Sequence, residues 1–225
     1  MDAPTAVQRT LVCAACLSAL REAPWPRCAR CHFPRGTGRV PDSGCLECAG
    51  WPGCLAAARA SAVLEPPADA LVHALKYGGW RGLADPLAAR MARLCPLPAR
   101  DALVVPVATT RGRARRRGYN QAELLARAYA ARTSAPVLDA LTREGEGPSQ
   151  VEIAPDQRRR NVRDSFAVRP SARAAVRGRA VALIDDVLTT GATAAAAAET
   201  LERTGARGVT VIAVAIALPG RDGLP

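Results

Sequence analysis

The sequence predicts an α/β fold with a mostly parallel sheet flanked by helices, preceded by a small cysteine-rich segment. Two observations lead to this fold class. From about residue 58 onward, apolar strand-like runs alternate with amphipathic helical patterns and short breaks. Before residue 55 the chain carries seven of its eight cysteines and little apolar material for a core of its own. We therefore divide the 225 residues into a zinc-ribbon-like cysteine-rich segment, residues 1–57, and an α/β domain, residues 58–225.

The composition indicates acidic partners. A formal net charge of +11 and a pI near 10.1 suit phosphorylated small molecules, nucleic acid or both. The alternative is a compositional bias toward arginine, because Lys76 is the only lysine in the sequence. In such a chain Lys76 stands out. Its compact ammonium can approach a phosphate as a point charge, although a lysine at a helix end can also simply complement the helix dipole.

The expected location bears on the role of the cysteines. The N-terminus MDAPTAVQRT is polar and no run of eighteen apolar residues occurs, so we expect neither a signal peptide nor a membrane span, and a cytoplasmic protein. Under reducing conditions C-x-x-C pairs are typical of zinc sites rather than disulfides, because each turn presents two thiolates to one ion. A redox-active pair is the remaining alternative, although no thioredoxin-like βαβ pattern surrounds these cysteines.

Three pairs and one further cysteine occupy this segment: Cys13-x-x-Cys16, Cys28-x-x-Cys31, Cys45-x-x-Cys48 and Cys54. A closed structural zinc site takes four ligands, so three pairs do not divide evenly. The preferred tetrad uses the second and third pairs: Cys28, Cys31, Cys45 and Cys48. The pair Cys13 and Cys16 then either lacks a partner pair or is joined by Cys54. The competing tetrad uses the first two pairs: Cys13, Cys16, Cys28 and Cys31. In either case metal binding would supply folding energy to the segment.

The α/β domain begins with a strand and two helices. Residues 59–65 are predicted to form the strand, and a proline pair then begins a helix from Ala68 to Tyr77. A second amphipathic helix is predicted from Leu83 to Leu94. Cys95, next to it, is expected to be a buried core thiol.

A basic stretch follows the next strand. We predict a buried strand at residues 102–107, a loop at 109–118 and a helix at 119–132. The loop carries five arginines: Arg111, Arg113, Arg115, Arg116 and Arg117. At the carboxyl edge of a parallel sheet they would neutralise an anionic ligand, while Asn120 or Gln121 hydrogen-bonds the ligand or the loop. The loop is alternatively a nucleic-acid contact, with Tyr119 as its single aromatic platform, or a solvated run of charge.

The carboxyl-terminal half combines a polar segment with regular elements. Residues 143–164 are predicted to be polar and mobile and to end on a strand-like run at 165–168. The last helix is predicted to run to Arg203, with Gly205 ending it, and residues 208–218 to form a central buried strand.

The most informative stretch is VALIDDVLTTGATAAAAA, residues 181–198. It orders a strand (Val181 to Ile184), two carboxylates (Asp185 and Asp186), a small-residue loop and an alanine-rich helix. The loop residues are Thr189, Thr190, Gly191, Ala192 and Thr193. Backbone N–H groups of such a loop before a helix suit a phosphate, and carboxylates at the strand's end can accept hydrogen bonds from sugar hydroxyls. Because the lysine of a Walker loop is missing, a sugar phosphate is favoured over a nucleoside triphosphate.

This stretch resembles the phosphoribosyl-pyrophosphate (PRPP) signature of type I phosphoribosyltransferases, in which two acidic residues precede TTGxT. The whole chain resembles the ComF/GntX-like proteins, competence-associated members of the phosphoribosyltransferase superfamily with an N-terminal zinc ribbon. The shared order is cysteine pairs, LVHALKYGG, VPV with a basic loop and RRRGYNQAELLARA, RRRNVRDSFAV and the PRPP-like stretch. Fuller relatives carry four cysteine pairs, and those here correspond to the second, third and fourth, which favours the tetrad from Cys28 to Cys48.

The resemblance implies a type I phosphoribosyltransferase-like domain, residues 58–225, that binds PRPP with Mg²⁺. Asp185 and Asp186 would hold the ribose hydroxyls, and the loop would cradle the 5-phosphate. The pyrophosphate would face three cations: Lys76, Arg115 and Arg117. Residues 143–164 would be a flexible hood with these matching positions: Gln150, Arg158, Arg159, Arg160, Asn161 and Arg163. The family's basic loop often contains His-Pro, and this chain has Ala108-Thr109-Thr110 there instead.

Two functions follow from the resemblance. In the first, the protein is a transferase: a nucleophile, most simply a nitrogen of an unknown acceptor, attacks C1 of PRPP and pyrophosphate leaves. In the second, it is a binding module that senses PRPP, or that engages single-stranded DNA and a competence helicase through its zinc ribbon and arginines. The resemblance links the family to DNA uptake during transformation, which suits the second function.

Overall fold

The computed structural model describes residues 12–35, 45–144 and 165–218. The predicted hood positions lie outside the described residues: Gln150, Arg158, Arg159, Arg160, Asn161 and Arg163.

A parallel sheet forms the centre of the described structure. The strands are β1 (Leu55–Val63), β2 (Leu103–Pro106), β3 (Leu141–Arg143), β4 (Phe166–Val168), β5 (Ala180–Leu188) and β6 (Gly208–Ile216). Within the described ranges, four of them pair in the order β1-β6-β5-β2, all parallel. β3 and β4 form a separate antiparallel pair. With helices on both faces, this arrangement confirms the predicted α/β class, and β6 is central as expected.

The helices agree with the sequence pattern at most positions. They are α1 (Ala14–Ser18), α2 (Ala68–Tyr77), α3 (Ala84–Leu94), α4 (Arg111–Arg117), α5 (Gln121–Thr133), α6 (Arg173–Val176) and α7 (Ala192–Arg203). The predicted bounds of α2 and the predicted end of α7 at Arg203 are confirmed. None of the helices in the described ranges combines the length and the apolar character needed to cross a membrane.

The predicted loop at 109–118 is wrong, because most of it is helix α4. The Thr110 side chain caps the helix by accepting a hydrogen bond from the Arg113 N–H at 3.4 Å. Gly118, at φ +74°, ends it in the left-handed conformation that a residue without Cβ adopts without strain. The arginines between these caps are good helix formers, so the charge run did not indicate a loop.

Two strands are longer than predicted. β1 begins at Leu55 rather than at residue 59 and therefore spans the proposed boundary between residues 57 and 58. β5 runs to Leu188, so Asp185 and Asp186 lie inside the strand rather than after its end. The partner strand β6 explains this extension, since Asp185 pairs with Ala213 and Leu188 with Ile216.

The sheet has a different partner on each face. Val181 and Leu183 of β5 belong to a core cluster that includes alanines of α7 and buried side chains of the cysteine-rich segment. Ala182 and Ile184, which point the opposite way, belong to a second cluster formed with α2, α3 and α5. The cysteine-rich segment thus shares the core of the sheet instead of forming a separate one.

The cysteine-rich segment also covers the edge of the sheet. β1 is the last strand in the order, so one side of its backbone would otherwise lack partners. The Ala58 N–H donates to the Arg30 carbonyl at 2.7 Å, and the Ala60 N–H donates to Nδ1 of His32 at 3.4 Å. The turn that carries Cys28 and Cys31 is therefore fixed directly to the sheet.

Candidate functional site

An open cavity of about 1370 Å³ lies at the carboxyl ends of the parallel strands. Ligands of open α/β sheets bind at this edge. Its lining brings together side chains that are far apart in the sequence: Lys76, Tyr77, Thr109, Arg113, Arg116, Arg117, Tyr119, Asn120, Gln121, Arg143, Asp185, Asp186, Thr189 and Thr193. The predicted acidic pair, Lys76 and both end residues of the small-residue loop therefore line one cavity.

The two carboxylates have different surroundings. Asp186 is buried, and its Oδ2 lies 3.0 Å from Nζ of Lys76 at the end of α2. Asp185 is half-buried, and its Oδ1 accepts a hydrogen bond from the Asp186 N–H at 2.8 Å. Lys76 is therefore the ion-pair partner of the acidic pair in this structure as well as a cation on the cavity wall.

Burial and the neighbouring charge of Asp186 raise the pKa of Asp185 well above its usual range, although Lys76 acts in the opposite direction. Two carboxylates this close cannot both ionise without repulsion. A ligand that donates hydroxyl hydrogen bonds to the pair would stabilise the ionised form, which is the form that accepts them. The pair is thus suited to a polyhydroxylated, cation-associated ligand.

The loop Thr189–Thr193, here called the phosphate loop, follows β5 directly. Thr190 is exposed and Gly191 has a φ of +78°. Helix α7 begins at Ala192; its N-cap residue, Gly191, has no side chain to cap it, and the Ala192 N–H makes a long hydrogen bond of 3.4 Å to Oγ1 of Thr190. A helix N-terminus without a side-chain cap presents backbone N–H groups and the positive end of its dipole to an anion.

One residue that the sequence did not indicate, Trp51, contacts this loop. Its Nε1–H donates to the Thr190 carbonyl at 3.1 Å. A Cβ at Gly191 would lie 2.5 Å from Cζ2 of the indole, so both the backbone conformation and the indole require glycine there. Only the tertiary contact reveals this role, because Trp51 is 139 residues from Thr190 in sequence.

Helix α4 turns one side toward the cavity. Arg113, Arg116 and Arg117 line it, whereas Arg111 and Arg115 are exposed and are not among its lining residues. Of the two arginines predicted to contact the ligand, Arg117 thus lines the cavity and Arg115 does not. The Arg117 guanidinium donates to Oε1 of Gln121 at 2.9 Å and stacks 4.7 Å from the centroid of an aromatic ring, that of Tyr77.

Asn120 has a structural role in this arrangement. Its side-chain amide donates to the Val107 carbonyl at 3.0 Å, and its Oδ1 accepts from the Ala122 N–H at 3.2 Å. It therefore caps α5 and fixes the residue that follows β2, which is not part of the loop at 109–118 that the sequence suggested as a possible partner.

Two further features of the site were missed. Arg143 at the end of β3 is half-buried on the cavity wall, and burial lowers its pKa, which Arg113 lowers further. Tyr77, whose ring stacks with Arg117 of α4, and Trp80 are 62% and 52% exposed. Both aromatic residues are visible in the sequence KYGGW, whereas Arg143 begins the stretch 143–164, which the sequence characterises only as polar.

The four cysteines of the preferred tetrad lie together. The sulfur atoms of Cys28, Cys31, Cys45 and Cys48, here called the cysteine cluster, all lie within 4.8 Å of one another. The Sγ atoms of Cys28 and Cys48 are 3.9 Å apart, those of Cys45 and Cys48 are 3.8 Å apart, and those of Cys31 and Cys45 are closer, at 3.2 Å. A tetrahedral zinc site with Zn–S bonds of about 2.3 Å has S···S edges of about 3.8 Å, so these residues fit a metal ion.

The other cysteines do not join this cluster. Cys13 is exposed, and Cys54 and Cys95 are buried as free thiols. Among the described residues, neither Cys13 and Cys16 nor Cys54 belongs to a group that could hold a metal. The competing tetrad is therefore not brought together in this structure, and Cys95 lies in the core as expected.

The surroundings of Cys28 suit a thiolate ligand. Although burial opposes ionisation, the pKa of Cys28 is lowered to about 6 by backbone hydrogen bonds from Cys31 and by the Arg35 guanidinium. Nη2 of Arg35 lies 3.7 Å from the sulfur. Burial raises the pKa of Cys31 and Cys48, so those thiols need a cation to ionise.

Several solved structures are similar to part of the chain. Glutamine PRPP amidotransferase from B. subtilis is 21% identical with a TM-score of 0.41, over 57% of this chain and 25% of that one. PRPP synthetase from Mycobacterium smegmatis is 20% identical with a TM-score of 0.33, over 60% of this chain and 33% of that one. This chain thus spans a third or less of either protein, and TM-scores below 0.5 are too low to assign the ligands or activities of those proteins to it.

Curated relatives match nearly the whole chain, although no family model matches it. The DNA utilization protein YhgH of Salmonella typhi is 30% identical over 219 residues, which covers 92% of this chain and 91% of that protein. YhgH of Escherichia coli K12 is 29% identical over the same length, with the same shares covered. With these relatives added to the motifs and the fold, the chain belongs to the ComF-like family of the DNA utilization protein YhgH.

Proposed function

We propose that the protein binds PRPP with Mg²⁺ and transfers its phosphoribosyl group to an acceptor. One observation carries this proposal. The acidic pair on β5 and the phosphate loop before α7 lie on one cavity that faces the arginines of α4. A sugar carrying a phosphate at one end and a pyrophosphate at the other needs hydroxyl acceptors and two anion sites, and the residues that line this cavity are of the kinds suited to both.

Each part of the ligand would have its own partners. Backbone N–H groups of the phosphate loop would donate to the 5-phosphate, and Asp185 and Asp186 would accept hydrogen bonds from the ribose hydroxyls. The guanidinium groups of Arg113, Arg116 and Arg117 would face the pyrophosphate, since all three residues line the same cavity. Mg²⁺ would add positive charge on the pyrophosphate oxygens.

The reaction would need no covalent intermediate. The lone pair of the acceptor nitrogen forms the bond to C1, the C1–O bond to pyrophosphate breaks, and its electrons leave with pyrophosphate. The acceptor nitrogen then releases its proton to solvent. The residues named above would position the ligand and neutralise the leaving group, which is the main part of catalysis in such a displacement.

Calorimetry with PRPP and Mg²⁺ tests the proposal. We expect the wild type to bind with a micromolar Kd, and the variant Asp185→Asn/Asp186→Asn to bind at least about 100-fold more weakly, because two charge-assisted acceptors are lost. Asp85→Asn/Asp101→Asn is a matched control, since both carboxylates are exposed and do not line the cavity. The absence of PRPP binding by a folded wild type would contradict the proposal.

The raised pKa of Asp185 makes it possible to distinguish a loss of ligand contacts from a loss of stability in the variant Asp185→Asn. Because this pKa is raised in the folded protein, the group's contribution to stability is full below about pH 4 and is lost as the pH rises through the raised value. The single variant Asp185→Asn has no carboxyl group to ionise at this position, so it does not lose this stability as the pH rises. Thermal unfolding of this single variant at pH 8 should therefore show no decrease in Tm without ligand, so weak binding would reflect the missing acceptor.

A second function, binding of single-stranded DNA, is favoured by a surface beside the cavity. Tyr77 stacks on the Arg117 guanidinium of α4, and Trp80 lies three residues further along the chain. Both are exposed, and exposed aromatic rings near arginines are where unpaired bases stack. The aromatic side chain that the sequence indicated, Tyr119, is less suitable, because it is half-buried and its hydroxyl donates to the Leu75 carbonyl. The name of the relatives, DNA utilization protein, agrees with this function.

Replacing Trp80 tests this second function. We expect Trp80→Ala to weaken binding of a fluorescein-labelled oligothymidylate about tenfold at moderate salt, measured by fluorescence anisotropy, because one stacking platform is removed. Trp25→Ala is the control, since Trp25 is also exposed but lies in the cysteine-rich segment, where it stacks with Arg27. Equal affinities of the wild type and Trp80→Ala would exclude this surface as the DNA contact.

A further inference from the structure

The contact between Trp51 and the phosphate loop fixes a peptide plane. The indole N–H of Trp51 donates to the Thr190 carbonyl, and Trp51 is only 9% exposed. In a planar trans peptide the carbonyl and the following N–H point in opposite directions. Holding the Thr190 oxygen on the indole therefore turns the Gly191 N–H away from the cysteine-rich segment. A loop that donates N–H groups to a phosphate needs this kind of fixed peptide orientation.

The same indole prevents the loop from relaxing. Its ring atoms would lie within 2.5–2.7 Å of a Cβ at Gly191, so the ring packs directly on the loop backbone. Gly191 holds a φ of +78° just before α7 begins. Without the indole, this glycine would be free to adopt other conformations that glycine populates readily.

The cysteine cluster in turn holds Trp51. The backbone N–H of Trp51 donates to the Cys48 carbonyl at 3.1 Å, and the backbone N–H of Cys48 donates to the Cys45 carbonyl at 3.1 Å. Arg30, which lies between Cys28 and Cys31 in sequence, donates to the carbonyls of Cys48 at 3.2 Å and Pro52 at 2.9 Å. Both C-x-x-C turns therefore fix the short segment that ends in Trp51.

We propose that Trp51 is a positioning residue through which the cysteine cluster and the phosphate loop are coupled. Metal binding at the cluster orders the turn that carries Trp51, and Trp51 orders the loop for a sugar phosphate. By linkage, a ligand on the loop must strengthen metal binding by the same factor. This inference rests on the proposed PRPP site and adds a dependence of that site on the metal.

The test compares zinc-loaded wild type with Trp51→Phe, which keeps an aromatic ring but lacks the indole N–H. We expect Trp51→Phe to contain as much zinc as the wild type and to bind PRPP with Mg²⁺ about tenfold more weakly. We also expect PRPP to raise the zinc affinity, measured by equilibrium competition with a chelator, about tenfold in the wild type and not in the variant. Trp25→Phe, an exposed tryptophan of the same segment, should behave like the wild type. Unchanged PRPP affinity in Trp51→Phe would overturn the coupling.

Hydrogen exchange keeps this inference separate from the PRPP proposal. If the wild type does not bind PRPP, the proposed function fails, but amide exchange of the phosphate loop still reports the coupling without any ligand. Zinc removal should speed exchange at 189–193 in the wild type, and Trp51→Phe should show the faster exchange with zinc bound. In zinc-bound Trp51→Phe, the β2 amides at 103–105 should exchange as in the zinc-bound wild type and so serve as the internal control. Loop exchange that does not respond to zinc removal or to Trp51→Phe would overturn the coupling by itself.

Discussion

Replacing Cys45 and Cys48 together with serine is expected to abolish zinc binding, from about one ion per chain to none, and to lower the free energy of unfolding by several kcal/mol. Two of the four thiolate ligands are lost, and the remaining pair cannot close a tetrahedral site. The segment has no separate core, so the binding free energy of the metal is a large part of what keeps it folded. Zinc content by mass spectrometry and unfolding followed by circular dichroism measure the two effects.

The matched control is Cys13→Ser/Cys16→Ser. It removes another C-x-x-C pair from the same segment, but Cys13 is exposed and these sulfurs are not part of the cysteine cluster. We expect its zinc content and stability to equal those of the wild type. If this control lost the zinc while Cys45→Ser/Cys48→Ser kept it, the competing tetrad of Cys13, Cys16, Cys28 and Cys31 would hold the metal instead.

The consequences of zinc loss should extend into the sheet. Phe33 and Trp51 belong to the same core cluster as Leu55 and Val211, and Arg30 and His32 cover the outer edge of β1. A loosened segment would expose this edge and one face of the sheet together. The cysteine-rich segment therefore acts as part of the α/β fold, although its sequence looks like a separate module.

Local signals explain which elements could be predicted. The bounds of α2 were correct because a proline pair precedes the helix and Gly78 follows it, and both signals are contiguous in the sequence. Helix α4 was missed because its five arginines read as a charge run, while Thr110 and Gly118, the residues that cap it, received no weight. The additional residues of β5, up to Leu188, depend on pairing with β6, and no local sequence pattern indicates this pairing.

The site shows the same division. The contiguous motif from Asp185 to Thr193 identified the acidic pair and the phosphate loop, because those residues are neighbours in sequence as well as in space. Trp51 and Arg143 reach the site only through tertiary packing, so nothing near the motif could indicate them. Lys76 lies between these cases. Its rarity singled it out, but its partner Asp186 was visible only in the folded chain.

Replacing Lys76 with methionine is expected to destabilise the protein by about 2–4 kcal/mol, because it leaves the Asp186 carboxylate buried without its ion-pair partner. The side chains of Lys76 and Asp186 are 23% and 4% exposed, so water cannot fully replace the ammonium. Methionine keeps most of the volume of the lysine stem and makes the lost charge the main change. Chemical denaturation of the unliganded protein at pH 7 measures the effect.

The double variant Lys76→Met/Asp186→Asn decides what Lys76 does. If the lysine mainly neutralises Asp186, removing both charges should restore most of the lost stability, since a neutral amide is far less costly to bury than an unpaired carboxylate. Asp186→Asn alone should then leave PRPP binding much weaker, while Lys76→Met in the stable double variant should weaken it no further. If Lys76→Met instead lowers PRPP affinity in the Asp186→Asn background as well, the ammonium contacts the ligand itself. An unchanged unfolding free energy in the single variant Lys76→Met would show that the 3.0 Å ion pair does not stabilise the fold.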